Sequence, residues 1–500
     1  LATRPTGTLD GWTAVVPAGD PDAAGALADR GAVVVTVPDA YDAASAELLR
    51  AATSGTGLRG VLCLLPDAPS GLRLLASGAV AEGSAPLWAL TRGAVAVGDT
   101  DAAPSPAAAG VWGLGRVAAL ELPQVWGGLI DIPADAGCAV WDRLCGVLAS
   151  GDAAGSEDQV AVRAEGVFGR RLVRAELSSG EGWQPRGTVL VTGGTGGLGS
   201  RVARWAAGRG AERLVLTSRR GLEAPGAVEL RDELSALGCE VVVASVDGTD
   251  REAMAALLDE FPVSAVVHTA GVLDDGVLSG QSAERLAGVW EPKAGAAWLL
   301  HELTVERGLD LDAFVLFSSA ASVFGAAGQG NYAAANAGLD ALAQVRRAAG
   351  LPATSIGWGP WAGGGMAATD DVRERVGRGG LLPMDPEEAL SLLGRAAASD
   401  LACVAVVDID WAAFAPAYTA VRASRLFDRL PEATQALSAT GTGERAGSVV
   451  QQHLAALADE QRARELLELV RAQAAAVLGH SSTQAVRADR AFRDLGFDSL

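Results

Sequence analysis

Lysine is almost absent from this sequence. Its 500 residues include 40 lysines and arginines, and Lys293 is the only lysine among them. A coding bias toward arginine explains the general absence but not the one exception. Lysine differs from arginine because its compact ammonium shifts its pKa readily when buried. Lys293 is therefore a candidate for a chemical role, and the alternative is a residue that has survived by chance.

Cysteine is also scarce. The five cysteines are scattered, odd in number and free of any Cys-x-x-Cys pair, which argues against a disulfide framework and against a metal site. We expect free thiols, no bound metal and a cytoplasmic location. The residues concerned are Cys63, Cys138, Cys145, Cys239 and Cys403.

Positive charge and long apolar runs are lacking as well. The formal net charge is −20, which argues against nucleic acid and anionic membrane surfaces as partners. We find no uninterrupted apolar run of about 18 residues and no signal peptide. The chain begins with Leu1, so we expect it to be part of a longer protein. Its length suggests more than one domain, roughly three.

Residues 1–180 alternate between strand and helix patterns, as in a parallel sheet. No glycine-rich turn follows the first strand, where the sequence reads Pro17-Ala18-Gly19-Asp20-Pro21. We therefore expect a nucleotide-type fold without a nucleotide site. The predicted strands are Trp12–Val16, Ala32–Val37, Gly60–Leu65, Pro86–Leu90 and Gly127–Ile132, with helices at Ala107–Leu122 and Ala139–Leu148.

A β-rich crossing over 159–177 and a polar connection, Gly180–Arg186, precede a second alternating series. Seven predicted strands make a complete doubly wound sheet. The fold class is thus α/β, with two Rossmann-like doubly wound parallel-sheet subdomains at 1–180 and 181–432. The strands are Thr188–Thr192, Arg213–Ser218, Glu240–Val246, Val263–Thr269, Ala313–Ser318, Ala353–Trp358 and Ala402–Ile409; the helices include Ser282–Leu303, Gln329–Ala348 and Pro386–Ala398.

A glycine-rich turn follows the first strand of the second series. Gly193, Gly197 and Gly199 allow the backbone to approach a pyrophosphate, and the helix that follows offers free N–H groups. The alternative is a merely structural turn. The same turn contributes Thr195, Gly196 and Leu198 to the predicted cofactor site.

The carboxyl ends of the other strands carry further candidates for cofactor binding, since ligands bind at that edge of a doubly wound sheet. The second strand ends in basic residues, which suit the 2′-phosphate of NADPH better than the ribose of NADH. We interpret His268 as a packing residue, and Gly357–Gly365 with Met366–Leu382 as either a lid or an ordinary loop. The predicted cofactor residues at these strand ends are Ser218, Arg219, Arg220, Gly221, Asp247, Gly248, Ala270, Gly271 and Ser318, and Lys293 and Tyr332 join them from the predicted helices.

Four residues form a candidate catalytic set. A ketone that accepts hydride needs a proton, and the Tyr332 hydroxyl can donate it. With a pKa of about 10, tyrosine needs a nearby positive charge to stabilise its phenolate, and Lys293 is the one ammonium available. Ser319 would align the carbonyl, and Asn336, one helical turn after Tyr332, would support the lysine or a relay water.

The motif Thr192-Gly193-x-x-x-Gly197-x-Gly199 with Ser319, Tyr332 and Asn336 resembles the short-chain dehydrogenase/reductase family. Most of that family carry lysine four residues after the tyrosine and asparagine on the preceding helix. Here the two are exchanged, which resembles the ketoreductase domains of modular polyketide synthases over roughly residues 10–430. The resemblance implies NADPH-dependent reduction of a carrier-bound β-ketoacyl thioester, with residues 1–180 as a structural subdomain.

The resemblance also bears on stereochemistry. Leu273-Asp274-Asp275 is similar to the signature of B-type ketoreductases, which give a D (3R)-hydroxyl. The tryptophan of A-type enzymes, eight residues before the tyrosine, is replaced by Phe324. The proline of epimerising B-type enzymes, five residues before it, is replaced by Ala327. We therefore expect a B1-type enzyme, and the alternative for the motif is an ordinary acidic loop.

The end of the chain has a separate resemblance. Residues 433–458 are predicted to be a linker, and Gln461–Leu478 an amphipathic helix with one apolar face. Leu495–Leu500 resembles the attachment motif of an acyl carrier protein, in which Ser499 would carry phosphopantetheine. Residues 459–500 would then be the truncated start of a carrier domain that lacks further helices, so phosphopantetheine is expected to be absent.

We interpret the chain as a reductase that acts on an acyl carrier protein-bound substrate and has other domains of the same synthase as partners. Three alternatives remain. The chain is a redox-silent scaffold or epimerase, a module that docks the carrier without chemistry, or a free-standing reductase of small carbonyls. Intact Lys293, Ser319, Tyr332 and Asn336 argue against the first, and the carrier-like tail argues against the last.

Overall fold

The computed structural model describes residues 7–38, 41, 43–53, 57–77, 85–98, 101–149, 157–177, 179–180, 182–363, 379–440 and 457–477. Most of the proposed lid, Met366–Leu382, and the carrier-like motif with Ser499 lie outside these residues. Within the described part, two seven-stranded sheets form the centres of two α/β halves. The predicted fold class is confirmed.

The first half contains a sheet with strand order β2-β1-β3-β4-β5-β6-β7, in which only the last pair is antiparallel. The strands are β1 (Trp12–Pro17), β2 (Val33–Val37), β3 (Gly60–Leu64), β4 (Leu87–Arg92), β5 (Trp126–Ile132), β6 (Gln159–Val162) and β7 (Val167–Gly169). The helices are α1 (Pro21–Ala28), α2 (Ala43–Thr53), α3 (Ala68–Ala76), α4 (Pro106–Glu121) and α5 (Cys138–Ala149).

The second half contains a fully parallel sheet with strand order β10-β9-β8-β11-β12-β13-β15. The strands of this half are β8 (Thr188–Thr192), β9 (Arg213–Ser218), β10 (Glu240–Ser245), β11 (Ala265–His268), β12 (Ala313–Ser319), β13 (Thr354–Trp358), β14 (Leu381–Leu382), β15 (Cys403–Val406) and β16 (Asp408–Ile409). β14 and β16 form a separate antiparallel pair. The interior strand β8 is buried throughout, as its run of β-branched and aliphatic residues predicts for a sheet covered on both faces.

Helices alternate with the strands of the second sheet, and three more of the described helices follow its last strand in the sequence. They are α6 (Gly197–Ala207), α7 (Ala227–Ala236), α8 (Arg251–Glu260), α9 (Ala283–Trp290), α10 (Ala296–Glu306), α11 (Ala320–Phe324), α12 (Gly330–Ala348), α13 (Pro386–Ala397), α14 (Trp411–Val421), α15 (Pro431–Thr440) and α16 (Asp459–Val477). Short 3₁₀ turns lie at Gly221–Glu223 and Leu278–Gly280. Among the residues that the structure describes, no helix combines the length and apolar character that a bilayer crossing requires.

The structure differs from the predicted elements in three places. The predicted strand Ala402–Ile409 is divided into β15 and β16, because its last two residues pair with β14 instead. The predicted helix Ser282–Leu303 is interrupted by a π-helical turn, Glu291–Gly295, that contains Pro292. The predicted linker 433–458 begins inside α15, since Ala433 is fully buried in an aromatic cluster and its segment is therefore packed.

The N-termini of the first helices of the two halves are built differently. In the first half, the Asp20 carboxylate accepts a hydrogen bond from the Ala23 N–H and pairs with Arg92 at 2.8 Å. The protein's own anion thus occupies the place where a pyrophosphate would meet α1. In the second half, Gly196 is the N-cap residue of α6 and has no side chain that could fill this place.

The two halves meet along α4 and α12, whose backbones approach very closely. A Cβ atom added to Gly113 on α4 would lie 2.4 Å from the Ala333 carbonyl oxygen on α12. Leu114 and Val117 of α4 pack in one apolar cluster with Tyr332 of α12. The first half therefore supports the helix that carries two of the candidate catalytic residues.

We expect Gly113→Ala to lower the free energy of unfolding by about 1–3 kcal/mol, because a methyl group at this contact forces α4 and α12 apart. Urea denaturation measures the change. Gly25→Ala is the matched control: it lies on the exposed face of α1, where an added Cβ meets nothing within 4 Å. The control should be neutral or stabilising by about 0.5–1 kcal/mol. Equal stabilities of Gly113→Ala and the wild type would contradict the close approach.

Candidate active site

The glycine-rich turn between β8 and α6 is tightly closed. Gly193 has a φ of +65°, and a Cβ atom at Gly199 would lie 2.2 Å from the Gly193 carbonyl oxygen. Neither position therefore accepts a side chain without rearrangement. The turn leaves the first N–H groups of α6 facing a cavity of about 750 Å³.

Most of the predicted cofactor residues line this first cavity, which we call the cofactor cavity. They are Gly193, Thr195, Gly196, Gly197, Leu198, Gly199, Ser218, Arg219, Arg220, Asp247, Gly248, Ala270 and Gly271. Gly221 is buried and packs against Ser245 without lining it. The Asp247 carboxylate accepts hydrogen bonds from the N–H and hydroxyl of Thr249, which hold its pKa below the usual value.

A second cavity of about 420 Å³, the substrate cavity, shares Leu198 and Thr269 with the first. Three candidate catalytic residues, Lys293, Ser319 and Tyr332, line it. Ser318 lines it as well, together with Leu273 and Asp275 of the predicted stereocontrol motif. The fold thus brings together residues that are far apart in the sequence, since the lining extends from Leu120 to Tyr418.

Lys293 is buried, with 2% of its surface exposed. Its Nζ lies 5.2 Å from the centroid of the Tyr332 ring and donates a hydrogen bond of 3.0 Å to the Phe317 carbonyl oxygen. Burial lowers the pKa of Lys293 to about 8 and raises the pKa of Tyr332, and hydrogen bonds of the Tyr332 hydroxyl with Asn336 and Ser319 oppose the latter change. A buried ammonium beside a buried phenol favours the phenolate form during proton transfer.

In the part of the chain that the structure describes, no hydrogen bond joins Asn336 to Lys293. Its Nδ2 donates a hydrogen bond of 2.8 Å to the Tyr332 carbonyl oxygen within α12. Its Oδ1 is buried and has no hydrogen-bond partner among the described residues. Of the two expected functions, support of the lysine or of a relay water, the free acceptor fits the second better.

His268 has a more specific place than the packing function expected for it. Its Nε2 donates to the Lys293 carbonyl oxygen at 2.9 Å, and its Nδ1 lies 2.7 Å from Thr192 Oγ1. Burial, together with the charge of Lys293, lowers the pKa of His268 to about 3. A neutral imidazole therefore joins the end of β8 to the π-helical turn and helps to aim Lys293 into the cavity.

The predicted stereocontrol motif is held from several sides. Asp274 forms an ion pair of 2.6 Å with Arg285, which lowers the pKa of Asp274, and its carbonyl oxygen accepts from Asn331 Nδ2. Asp275 accepts a hydrogen bond of 3.0 Å from Gln329. The Asp274 carboxylate thus faces Arg285, while Asp275 and Leu273 line the substrate cavity.

Glu121, the last residue of α4, is a contributor that the sequence analysis missed. Its two carboxylate oxygens accept from the Leu278 and Gly328 N–H groups, each at 2.7 Å. These two groups belong to the loops that follow Asp275 and precede Tyr332. One carboxylate of the first half therefore fixes the distance between two loops at the substrate cavity.

Family models match both halves. A model described as KR domain matches residues 187–363, and one described as Polyketide synthase extender module SpnB, Rossmann fold domain, matches residues 72–172.

Sequence relatives include Polyketide synthase GfsA of Streptomyces halstedii, 48% identical over 98% of this chain, and Pikromycin polyketide synthase component PikAIII of Streptomyces venezuelae, 46% identical over 98% of it. The chain spans only 7% of the length of the first and 32% of the second.

Solved structures match over nearly their full length. "Structure of A-type Ketoreductases from Modular Polyketide Synthase" is 45% identical with a TM-score of 0.81 and covers 87% of this chain; 97% of that structure is covered. "The first ketoreductase of the tylosin PKS" is 47% identical with a TM-score of 0.78, with the same coverage of both chains.

We expect His268 to remain neutral between pH 5 and 8, because its pKa of about 3 lies below that range. NMR of protein labelled with [¹³C]histidine measures this directly, and a His268→Gln variant identifies the signal. A signal that disappears in the variant and titrates near pH 6.5 would contradict the buried bridge.

Proposed function

The chain belongs to the ketoreductase domains of modular polyketide synthases, which are oxidoreductases, and from this premise we propose that it reduces a β-ketoacyl thioester to a D (3R)-β-hydroxyacyl thioester with NADPH. The observation that carries the proposal is the convergence of Lys293, Ser319 and Tyr332 on a cavity that adjoins the glycine-rich turn. Neither half of the chain supplies this arrangement alone, since α4 supports the helix of Tyr332.

Tyr332 is the proton donor in this proposal. When bound, NADPH supplies a hydride to the β-carbon, and the oxygen then needs a proton. Ser319 donates a hydrogen bond to that oxygen and orients it, and the Tyr332 hydroxyl transfers its proton to it. The Lys293 ammonium, 5.2 Å from the ring centroid, stabilises the phenolate that remains. Asn336 Oδ1 accepts from a water that returns the proton.

NADPH fits the chemistry of the cofactor cavity. The uncapped N-terminus of α6 suits the pyrophosphate, and the closed turn at Gly193 and Gly199 allows close approach of the backbone. Arg219 and Arg220 follow β9 and line the cavity, where guanidinium groups would pair with the 2′-phosphate. Asp247 follows β10 rather than β9, and its Oδ1 accepts from Thr249, so the residues directly after β9 are the two arginines and not an acid.

The B1 assignment is supported by three positions. Leu273 and Asp275 of the Leu-Asp-Asp motif line the substrate cavity. Phe324 stands where A-type enzymes have tryptophan, and it packs in an aromatic cluster with Phe414 and Phe427. Ala327 stands where epimerising B-type enzymes have proline. We therefore propose a substrate that is reduced without epimerisation.

The substrate is proposed to arrive on the phosphopantetheine arm of an acyl carrier protein, with other domains of a cytoplasmic synthase as partners. The support is that the similar proteins GfsA and PikAIII are polyketide synthases of which this chain spans a small share. The carrier-like motif with Ser499 lies outside the described residues, so attachment at that serine rests on the sequence resemblance.

We expect Tyr332→Phe to reduce kcat for a β-ketoacyl thioester by about 10²–10⁴-fold, since the variant lacks the proton donor. NADPH binding, measured by fluorescence titration, should persist. Tyr41→Phe is the control, because the Tyr41 hydroxyl donates to the Leu64 carbonyl oxygen in the first half, away from the substrate cavity. Undiminished turnover by Tyr332→Phe would contradict the mechanism. A wild-type protein that binds NADPH without oxidising it would favour the redox-silent alternative.

We expect the double variant Arg219→Ala/Arg220→Ala to lose at least about tenfold in its preference for NADPH over NADH, because a charge-assisted hydrogen bond contributes about 1.5–3 kcal/mol. The ratio of kcat/KM for the two cofactors measures the change. Arg231→Ala, which removes an arginine on α7 that pairs with Asp232, is the matched control. An unchanged ratio in the double variant would show that another group recognises the 2′-phosphate.

A further inference from the structure

Asp340 is a charged residue that the proposed mechanism does not use. It follows Asn336 by one helical turn and Tyr332 by two on α12. Its Oδ2 accepts from Ser322 at 2.7 Å and its Oδ1 from Ser355 at 2.6 Å. Both serines are buried, with 0% and 1% of their surfaces exposed. The carboxylate is therefore held in one position by hydroxyls from α11 and β13.

A short path joins this carboxylate to the active-site lysine. Ser322 Oγ lies 3.3 Å from Ser318 Oγ, and Ser318 follows the residue whose carbonyl oxygen accepts from Lys293. Burial lowers the pKa of Lys293 to about 8, and the negative charge of Asp340 acts in the opposite direction. Ser322 and Ser318 thus lie between the Asp340 carboxylate and the end of β12, where the Phe317 carbonyl oxygen accepts from Lys293.

The other side of Asp340 faces the first half. A cavity of about 500 Å³ between the halves is lined by Asp340, Arg116 of α4, Arg170 and Cys403. Arg116 donates to the Ser322 carbonyl oxygen and Arg170 to the Val323 carbonyl oxygen, and the Cys403 thiol donates to the Asp340 carbonyl oxygen at 3.2 Å.

Burial lowers the pKa of both arginines, and the charge of Asp340 opposes this change in each. Asp340 and the two guanidinium groups thus line one cavity between the halves, whereas the path from Asp340 to the active-site ammonium leads through Ser322 and Ser318.

We propose that Asp340 is a positioning residue for proton transfer, which stabilises the charged form of Lys293 and links it electrostatically to Arg116 and Arg170. The catalytic part of this inference rests on the proposed function of Lys293. Without the carboxylate, Lys293 would lose its proton at a lower pH and no longer stabilise the Tyr332 phenolate. The loss of activity at alkaline pH would then begin at a lower pH than in the wild type.

The single lysine makes a direct test practical. Labelling with [ε-¹³C]lysine gives one side-chain NMR signal from the whole chain, and its pH titration reports the pKa of Lys293 without any turnover. We expect about 8 for the wild type and a lower value for Asp340→Asn, because the variant lacks the negative charge that favours the ammonium form. Ser355→Ala is the matched control, because it removes a hydrogen bond from the carboxylate and leaves the charge in place.

The kinetic readout is the alkaline limb of the kcat profile, which should move to lower pH in Asp340→Asn by the same amount, while KM for NADPH is unchanged. If circular dichroism shows that Asp340→Asn does not fold, Asp340→Ser replaces it. An unchanged lysine titration in the folded variant overturns the electrostatic link. If the lysine titration shifts but the alkaline limb of the kcat profile does not, the proposed function of Asp340 in proton transfer is overturned. Failure of reduction in the wild type would contradict the proposed function instead and leave the NMR comparison intact.

Discussion

The buried ammonium of Lys293 lies beside the Tyr332 ring, and this contact sets the proton chemistry that the active site can carry out. A charge with 2% exposure is costly unless polar groups surround it. The Phe317 carbonyl oxygen accepts from it, and His268 holds the main chain of the π-helical turn from which it projects. The arrangement keeps a cation close to a phenol in a site that excludes much of the water, where electrostatic effects are large.

The first half contributes to this interaction although its own sheet has no glycine-rich turn. The Asp20 carboxylate fills the N-terminus of its first helix, and α4 instead supports α12 through the close approach at Gly113. Glu121 then fixes two loops at the substrate cavity. The first half has no cofactor turn, but its helix α4 packs against α12 and thereby supports Tyr332.

Much of the fold and the centre of the site could be predicted from the sequence. The strand and helix periods are strong in both halves, and the glycine turn, Ser319 and Tyr332 follow strands at the edge where chemistry collects. Local pattern could not reveal the π-helical turn, although Pro292 is a signal that a regular helix is interrupted. It also could not show where the predicted strand Ala402–Ile409 divides, because the partner of its end is a distant segment.

The contacts of His268, Glu121 and Asp340 were beyond sequence reasoning for a related reason. Each depends on groups from other elements, and for Glu121 the partners are 157 and 207 residues away. For Asp340 the sequence does contain a signal. Its spacing of four residues from Asn336, and of eight from Tyr332, places all three on one face of the helix.

The proposed function is tested by incubation with NADPH and a racemic 2-methyl-3-oxopentanoyl thioester, followed by chiral analysis of the product. We expect oxidation of NADPH and a single (2R,3R) product. Absence of NADPH oxidation by folded protein that binds the cofactor would contradict the assignment as an active reductase. A different single stereoisomer would retain the reductase and contradict the B1 assignment.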